Sequence, residues 1–294
     1  MVREKLGDVI GRRVLVCDGA MGTQLIARGL VAGECGELWN VQRSADVQAI
    51  HRSYLNAGCS LITTNTFGAS SFSLAKSGLA ERTVEINRAG ATLARRAAGD
   101  AAWVLGDIGP FGDFLEPLGD MTPDRLADVF RQQAQALAEG GVDAFIIETM
   151  QDPNELAIAV KAARTVSPAP IIATYAFGKS ESGFRTMMGC SVDAAMKAAI
   201  DAGADVVGAN CGTALGLDDY VRLAGQLVAA AAGKPVILQP NAGSPQYSGG
   251  KLVYGATPAD MAAVVPALLK AGLKVIGGCC GTTPEHLKAM AACV

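Results

Sequence analysis

The sequence predicts an α/β protein, a (β/α)8 barrel, on three observations. Eight short apolar runs recur along the chain, each followed by a helix-like stretch. The 294 residues suit eight such units closed into a cylinder better than an open, doubly wound sheet. Asp18, Asn65, Asp107, Glu148, Asn210, Cys211, Asn241, Cys279 and Cys280 stand just after the runs. Closure would gather them at the C-terminal face, where barrels build their sites. No linker or low-complexity segment divides the chain, so residues 1–294 are expected to form one barrel domain.

The elements follow in order. Residues 14–18 read as the first strand, leading into Asp18-Gly19-Ala20-Met21-Gly22-Thr23. Strands two to five are expected at 60–64, 102–106, 142–147 and 170–174, and the last three at 205–209, 235–239 and 275–276. Helices are expected at 46–56, 82–98, 123–138, 153–165, 192–202, 217–231, 258–271 and 285–293. Thr122, Ser191 and Thr257 stand where a side-chain oxygen can cap the following helix, and Pro123 and Pro258 occupy first helical positions. Thr282 or Thr283 can cap a helix opening at Pro284. The longer stretch 28–43 is expected to cover part of the mouth, and Phe67 and Phe111 to lie exposed on it.

Composition narrows the function. The formal net charge is −3 with no basic tract, which leaves no electrostatic footprint for nucleic acid. The start, residues 1–8, carries acids and no apolar core, so no secretory signal is expected, and no apolar run is long enough for a membrane span. A cytoplasmic location follows as an expectation. Eight cysteines in such a chain favour metal or catalytic use over disulfides.

The chemistry concentrates at Gly277-Gly278-Cys279-Cys280-Gly281-Thr282-Thr283-Pro284-Glu285-His286. Glycines on both sides let two adjacent thiols turn toward one point. Two thiolates are half of a tetrahedral zinc site, and Cys211, after the sixth run, offers a third. Buried free thiols or a regulatory disulfide are the alternatives. The two histidines, His51 and His286, fall at no expected strand end, which disfavours a histidine-based site. His286 is expected to fix the loop above its helix. Asp107 reads as a loop-fixing residue. The glycines around it give a weak nucleotide signal that Pro110 opposes.

The motifs together resemble the homocysteine S-methyltransferase family. The matching stretches are Asp18-Gly19-Ala20-Met21-Gly22-Thr23, Thr64-Asn65-Thr66-Phe67-Gly68-Ala69, Gly106-Asp107-Ile108-Gly109-Pro110, Glu148-Thr149, Asn210-Cys211, Pro240-Asn241-Ala242-Gly243 and the cysteine stretch above. They run in the family's order and look most like the homocysteine-binding module of cobalamin-dependent methionine synthases. The resemblance implies one zinc on Cys211, Cys279 and Cys280, and a homocysteine thiolate that takes a methyl group to become methionine. It places Asp18, Gly19, Ala20 and Met21 against the substrate, and it implies Glu148 as a catalytic or ammonium-binding carboxylate. Asn210 is expected at the substrate and Asn241 near it, where its oxygen could serve the zinc before substrate binds.

The donor is a further expectation. Asn65-Thr66-Phe67-Gly68-Ala69 looks like the branch that uses a methylated corrinoid. The folate- and cobalamin-binding modules of the full synthase are not found up to Val294, so methylcobalamin or a separate methylcorrinoid protein is the expected donor. S-methylmethionine, S-adenosylmethionine and betaine are the small-molecule alternatives. Two readings of other classes remain: a barrel that binds phosphate at Gly277-Gly278 and Thr282-Thr283, and an interaction module with a purely structural zinc.

Overall fold

A computed structural model describes residues 4–248 and 251–294. The charged start is therefore seen from Glu4 onward, and residues 1–3 lie outside the described residues. Eight parallel strands form one sheet: β1 (Leu15–Val16), β2 (Leu61–Thr63), β3 (Trp103–Ile108), β4 (Ala144–Met150), β5 (Ile171–Tyr175), β6 (Val206–Asn210), β7 (Val236–Gln239) and β8 (Val275–Ile276). Each pairs with its neighbours in sequence, and β8 pairs with β1 in the register Leu15 to Val275. The remaining seam, between β1 and β2, closes through a bridge from Cys17 to Leu61 and two amide bonds, Ser60 N to Val16 O at 2.8 Å and Asp18 N to Leu61 O at 3.0 Å. The sheet is a barrel, as expected.

The outer helices are α1 (Ser44–Asn56), α2 (Thr83–Ala98), α3 (Pro123–Glu139), α4 (Pro153–Val166), α5 (Val192–Ala202), α6 (Leu217–Ala230), α7 (Pro258–Ala271) and α8 (Pro284–Ala291). Thr122, Ser191 and Thr257 cap α3, α5 and α7 by accepting the amides of Arg125, Ala194 and Asp260. Glycines in the left-handed conformation, Gly203 and Gly272, end α5 and α7, where a side chain would be strained.

The core has two main parts, beside two smaller clusters around Ile62 and Leu74. Residues between sheet and helices form the larger one, among them Val207, Ala209, Leu223 and Leu227. The barrel interior holds Leu15, Leu61, Trp103, Leu105, Ile146, Ile172, Val206, Ile237 and Val275. The short N-terminal helix Leu6–Val9 packs Leu6 and Val9 into that same interior cluster, and Trp103 Nε1 donates to Glu4 O at 3.0 Å. The N-terminal end of the barrel is thereby plugged with apolar side chains.

Departures from the expected elements lie in the connections. The stretch 28–43 folds its second half into a 3-10 turn, Gly36–Leu38, and a helix, Trp39–Gln42. Two hairpins follow strands where loops were expected: Gly178–Ser180 with Gly183–Arg185, and Pro245–Ser248 with Lys251–Tyr254. Asp107 and Glu148 sit inside β3 and β4, because both strands run further than their apolar runs. Phe111 is not on the surface: it is 1% exposed, and its ring meets Phe72 edge to face at 5.3 Å. Phe67, at 40%, is exposed as expected.

Candidate active site

The pleat of the strands builds the site. Alternate residues face the barrel axis: Trp103, Leu105 and Asp107 on β3, Ala144, Ile146 and Glu148 on β4. On β6 the series is Val206, Gly208 and Asn210, and from β8 onward it is Val275, Gly277 and Cys279. The lower members are apolar and fill the cylinder. The upper ones are polar, and Asp107, Glu148 and Cys279 among them line a cavity of ≈ 400 Å³ at the C-terminal face. Its wall includes Asp18, Gly19, Ala20, Met21, Thr63, Asp107, Glu148, Cys211, Cys279 and Cys280. Leu30, Glu34, Gly36 and Glu37 of the covering stretch form the roof. Glu37 is held there by the Gly68 amide, at 2.8 Å from Oε1.

The sulfurs of Cys211, Cys279 and Cys280 lie within 4.8 Å of one another, the one such metal-competent cluster of His, Cys, Asp and Glu among the described residues. Cys211 Sγ and Cys280 Sγ are 3.8 Å apart. Thiolates bound to tetrahedral zinc at ~2.3 Å would be separated by about 3.8 Å, so this spacing fits that ion. Cys280 is the thiol that ionises first, its pKa drawn far down to about 3 because Cys211 and Cys279 both hydrogen-bond to it. Its own contacts with Cys211 and Cys280, and burial, push Cys279 well above the usual thiol range. Three thiolates together therefore call for a cation. The remaining cysteines, Cys17, Cys35, Cys59, Cys190 and Cys293, are free.

Backbone strain marks the same corner. Cys211 (φ 54°) and Thr149 (φ 63°) adopt left-handed conformations that side chains disfavour. Asn210 restrains one of them: its Oδ1 accepts the Thr149 amide and its Nδ2 donates to Thr149 Oγ1, both at 2.7 Å. Thr174 Oγ1 donates to the same Oδ1 at 2.7 Å, and Nδ2 reaches Cys279 Sγ at 3.8 Å. Asn210 is thus fully engaged behind the cavity wall, linking the Glu148 strand to the cysteines. Asn241 is also buried behind the wall, with its Nδ2 on Gly212 O at 3.2 Å and its Oδ1 without a partner.

Thr282 joins the cysteine loop to the first turn. Its hydroxyl donates to Cys279 O at 2.7 Å and accepts the Ala20 amide at 3.1 Å. The cap of α8 falls to Thr283, whose amide donates to His286 Nδ1 at 3.1 Å. His286 Nε2 lies 2.9 Å from Ala256 O and ties down the hairpin's exit, as expected of it. That hairpin delivers Tyr254, which lies beside Cys280 and helps hold its thiol low. A side chain on Gly281, itself left-handed, would meet the Tyr254 ring at 2.3 Å, so glycine is required there. Tyr254 had no sequence signal, because its hairpin carries no apolar alternation.

The carboxylates are held in unusual states. Burial, opposed by the bonds from Thr63, raises Asp18 to about 7. Burial and the nearby Asp18 raise Glu148 to about 8. Both groups keep protons in the folded chain that the unfolded chain releases. Their stabilising effect is full below the unfolded carboxyl pKa and is lost as pH rises through the folded values. Metal-free protein should therefore lose thermal stability between about pH 5 and 8, and Glu148→Gln should flatten that slope. A melting-temperature series across this range reads it; an unchanged slope in the variant would remove Glu148 from the account.

Comparison with known proteins now bears on the site. The model of the family described as homocysteine S-methyltransferase matches residues 15–294. The chain belongs to this family. It is 33% identical over 303 aligned positions to a methionine synthase of Mycobacterium tuberculosis, and 32% identical to one of Mycobacterium leprae. Each alignment covers 98% of this chain but 25% of the relative, so the chain spans about a quarter of the length of these curated relatives. Among solved structures, the oxidized form of the homocysteine methyltransferase MmuM from Escherichia coli superposes with a TM-score of 0.77 at 22% identity, over 98% of both chains. Its metallated form gives 0.76 at 21% identity, over 95% of this chain and 96% of that one. These two share the family's barrel fold with this chain. Among the described residues no helix is long and apolar enough to cross a membrane.

Proposed function

We propose that this homocysteine S-methyltransferase family member binds homocysteine in the cavity and methylates its sulfur to give methionine, with zinc held by Cys211, Cys279 and Cys280. The observation that carries the reading is three sulfurs within 4.8 Å of one another on the wall of a cavity shared with Glu148. When held by these three thiolates, zinc would supply Lewis-acid stabilisation that keeps the substrate sulfur anionic at neutral pH. The Asn241 oxygen, buried and unpartnered, is a suitable fourth ligand for the substrate-free site.

The chain's own residues do the rest. Glu148 receives the substrate's ammonium. Asp18, Gly19, Ala20 and Met21 wall the cavity where the helix Met21–Ala27 begins, and unpaired amides of its first turn face the substrate carboxylate. Ala20's own amide is spent on Thr282. Asn210 acts through others, fixing Thr149 beside Glu148. Methyl transfer is a displacement in which sulfur, methyl carbon and leaving group stand nearly in line, so the donor approaches from the mouth.

The donor in this reading is a methylcorrinoid borne by a protein. Supporting it are the similarity to methionine synthases and the exposed apolar side chains Phe67, Phe114, Leu118 and Met187 in the connections that follow β2, β3 and β5. Phe67→Ala and Phe114→Ala should lower kcat/KM with the protein-borne donor several-fold more than with free methylcobalamin. The phosphate-binding alternative lacks donors: the amides of Gly277, Gly278, Cys279 and Thr282 are bonded to Leu238, Asp18, Pro240 and Cys279 carbonyls.

The test is an assay of zinc-loaded protein with homocysteine and each of methylcobalamin, S-methylmethionine, S-adenosylmethionine and betaine. Methylation from methylcobalamin is expected; use of a small donor with methylcobalamin inert would overturn the donor assignment alone. Homocysteine binding should also release close to one proton at pH below the free thiol's pKa of ~8.5, read by calorimetry in buffers of different ionisation enthalpy. Binding without proton release would refute thiolate capture.

A further inference from the structure

The carboxylates on the cavity wall differ in what already occupies them. Asp18 is engaged: Oδ2 accepts the Thr63 amide at 2.8 Å, and the Thr63 hydroxyl lies 3.2 and 3.3 Å from its two oxygens. Those bonds cross the β1–β2 seam, so Asp18 is a strap in the wall. Asp107 is the opposite case. It is 6% exposed, lines the cavity, and its Oδ1 has no hydrogen-bond partner. Its backbone is fixed separately, the amide donating to Thr64 Oγ1 at 2.9 Å and the carbonyl accepting from Thr66 Oγ1 at 2.7 Å. The pleat that turns Glu148 inward on β4 turns Asp107 inward on the adjacent β3, where Asp107 pairs in register with Ile146. No Lys, Arg or His is among the described residues lining the cavity.

A buried carboxylate with an unfilled acceptor costs stability unless something cationic arrives to meet it. The sequence assigned Asp107 only to fixing loops, yet its side chain fixes nothing. We propose that Asp107 is a second receiver of the substrate's ammonium, beside Glu148, and that it makes the site select an α-amino thiol over the same thiol acid without the amino group. This rests on the reading that the cavity takes homocysteine. Burial, with Glu148 and Asp18 close by, holds the empty carboxyl well above its ordinary range. An ammonium between Asp107 and Glu148 would relieve both the burial and the repulsion.

The experiment measures binding by calorimetry, on zinc-loaded protein, of homocysteine and of 4-mercaptobutanoate, which lacks only the amino group. Wild-type protein is expected to prefer homocysteine. In Asp107→Asn, homocysteine should bind roughly 10- to 100-fold more weakly while 4-mercaptobutanoate is little changed, so the preference shrinks by that factor. Zinc content should be unaltered. The melting temperature of metal-free Asp107→Asn should hold or rise, because the side chain has no bond to lose; Asp107→Ser gives the same readings should the amide prove awkward. A variant that keeps the wild-type preference, or one whose melting temperature falls by more than roughly 5 °C and so marks Asp107 as a strut, overturns the assignment alone. Wild-type protein that binds neither thiol overturns the homocysteine reading and the assignment with it.

Discussion

Cys280→Ala is expected to lose zinc and activity together, with metal occupancy falling below roughly a tenth and turnover by ~10³-fold or more, because two thiolates cannot hold the ion as three do. Cys211→Ala and Cys279→Ala should behave alike. The three sulfurs share one point within 4.8 Å, and they come from only two loops, after β6 and after β8. Loss of Cys280 also removes the sulfur that lies 3.8 Å from Cys211 Sγ. The exposed Cys293, whose sulfur contacts only carbonyls of α7 and α8, supplies the control: Cys293→Ser should keep both zinc and rate. Metal analysis beside a rate assay is enough. Full occupancy in all three site variants would sink the ligand set.

Gly208→Ala should damage the fold itself. Gly208 faces the barrel axis on β6, and a methyl group there would stand 1.9 Å from Ile237 O and 2.8 Å from its Cγ2 on β7. The clash is with backbone, which cannot step aside without breaking the strand register. Overpacking of this kind costs ~3 kcal/mol or more, a fall of roughly 5–10 °C in melting temperature for a chain of this size, or insoluble expression. Gly225→Ala makes the contrast. That glycine lies exposed within α6 with nothing within 4 Å of the added carbon, and alanine there should be neutral or up to about 1 kcal/mol stabilising. Equal melting temperatures for the two variants would contradict the packing argument.

The barrel was legible because its signals are local and repeated. Each apolar run is a buried strand, and Thr122, Ser191 and Thr257 stand at helix starts where their oxygens accept amides. The three cysteines were legible because strand ends in a barrel converge, so neighbours in space can be named from position in the chain. What escaped had no periodic mark. The hairpin carrying Tyr254 is short and lacks apolar alternation, and Phe111 sits among glycines and a proline that read as a loop tip, although Phe72 covers its ring. Asn210 reads from the sequence as a substrate contact. Its role as a clamp on Thr149 depends on an unusual backbone angle that no residue pattern announces. Asp107 was within reach: counting by twos from Trp103 and Leu105 points it along the axis, as the same count does for Glu148.

The apolar plug at the foot of the barrel has a kinetic consequence. With Leu6 and Val9 packed into the interior cluster, the described residues close the foot of the barrel, and the cavity opens at the C-terminal face. Whatever lies among the thiols can leave only by the way it came. A second reactant seated above it blocks that way. On the proposed reaction traffic would then be first in, last out: the deep ligand would enter before the donor, and its product would wait until the spent donor had gone. Initial-rate patterns should show a compulsory order, and a non-reactive occupant of the mouth should slow exchange of the deep ligand without competing for its place.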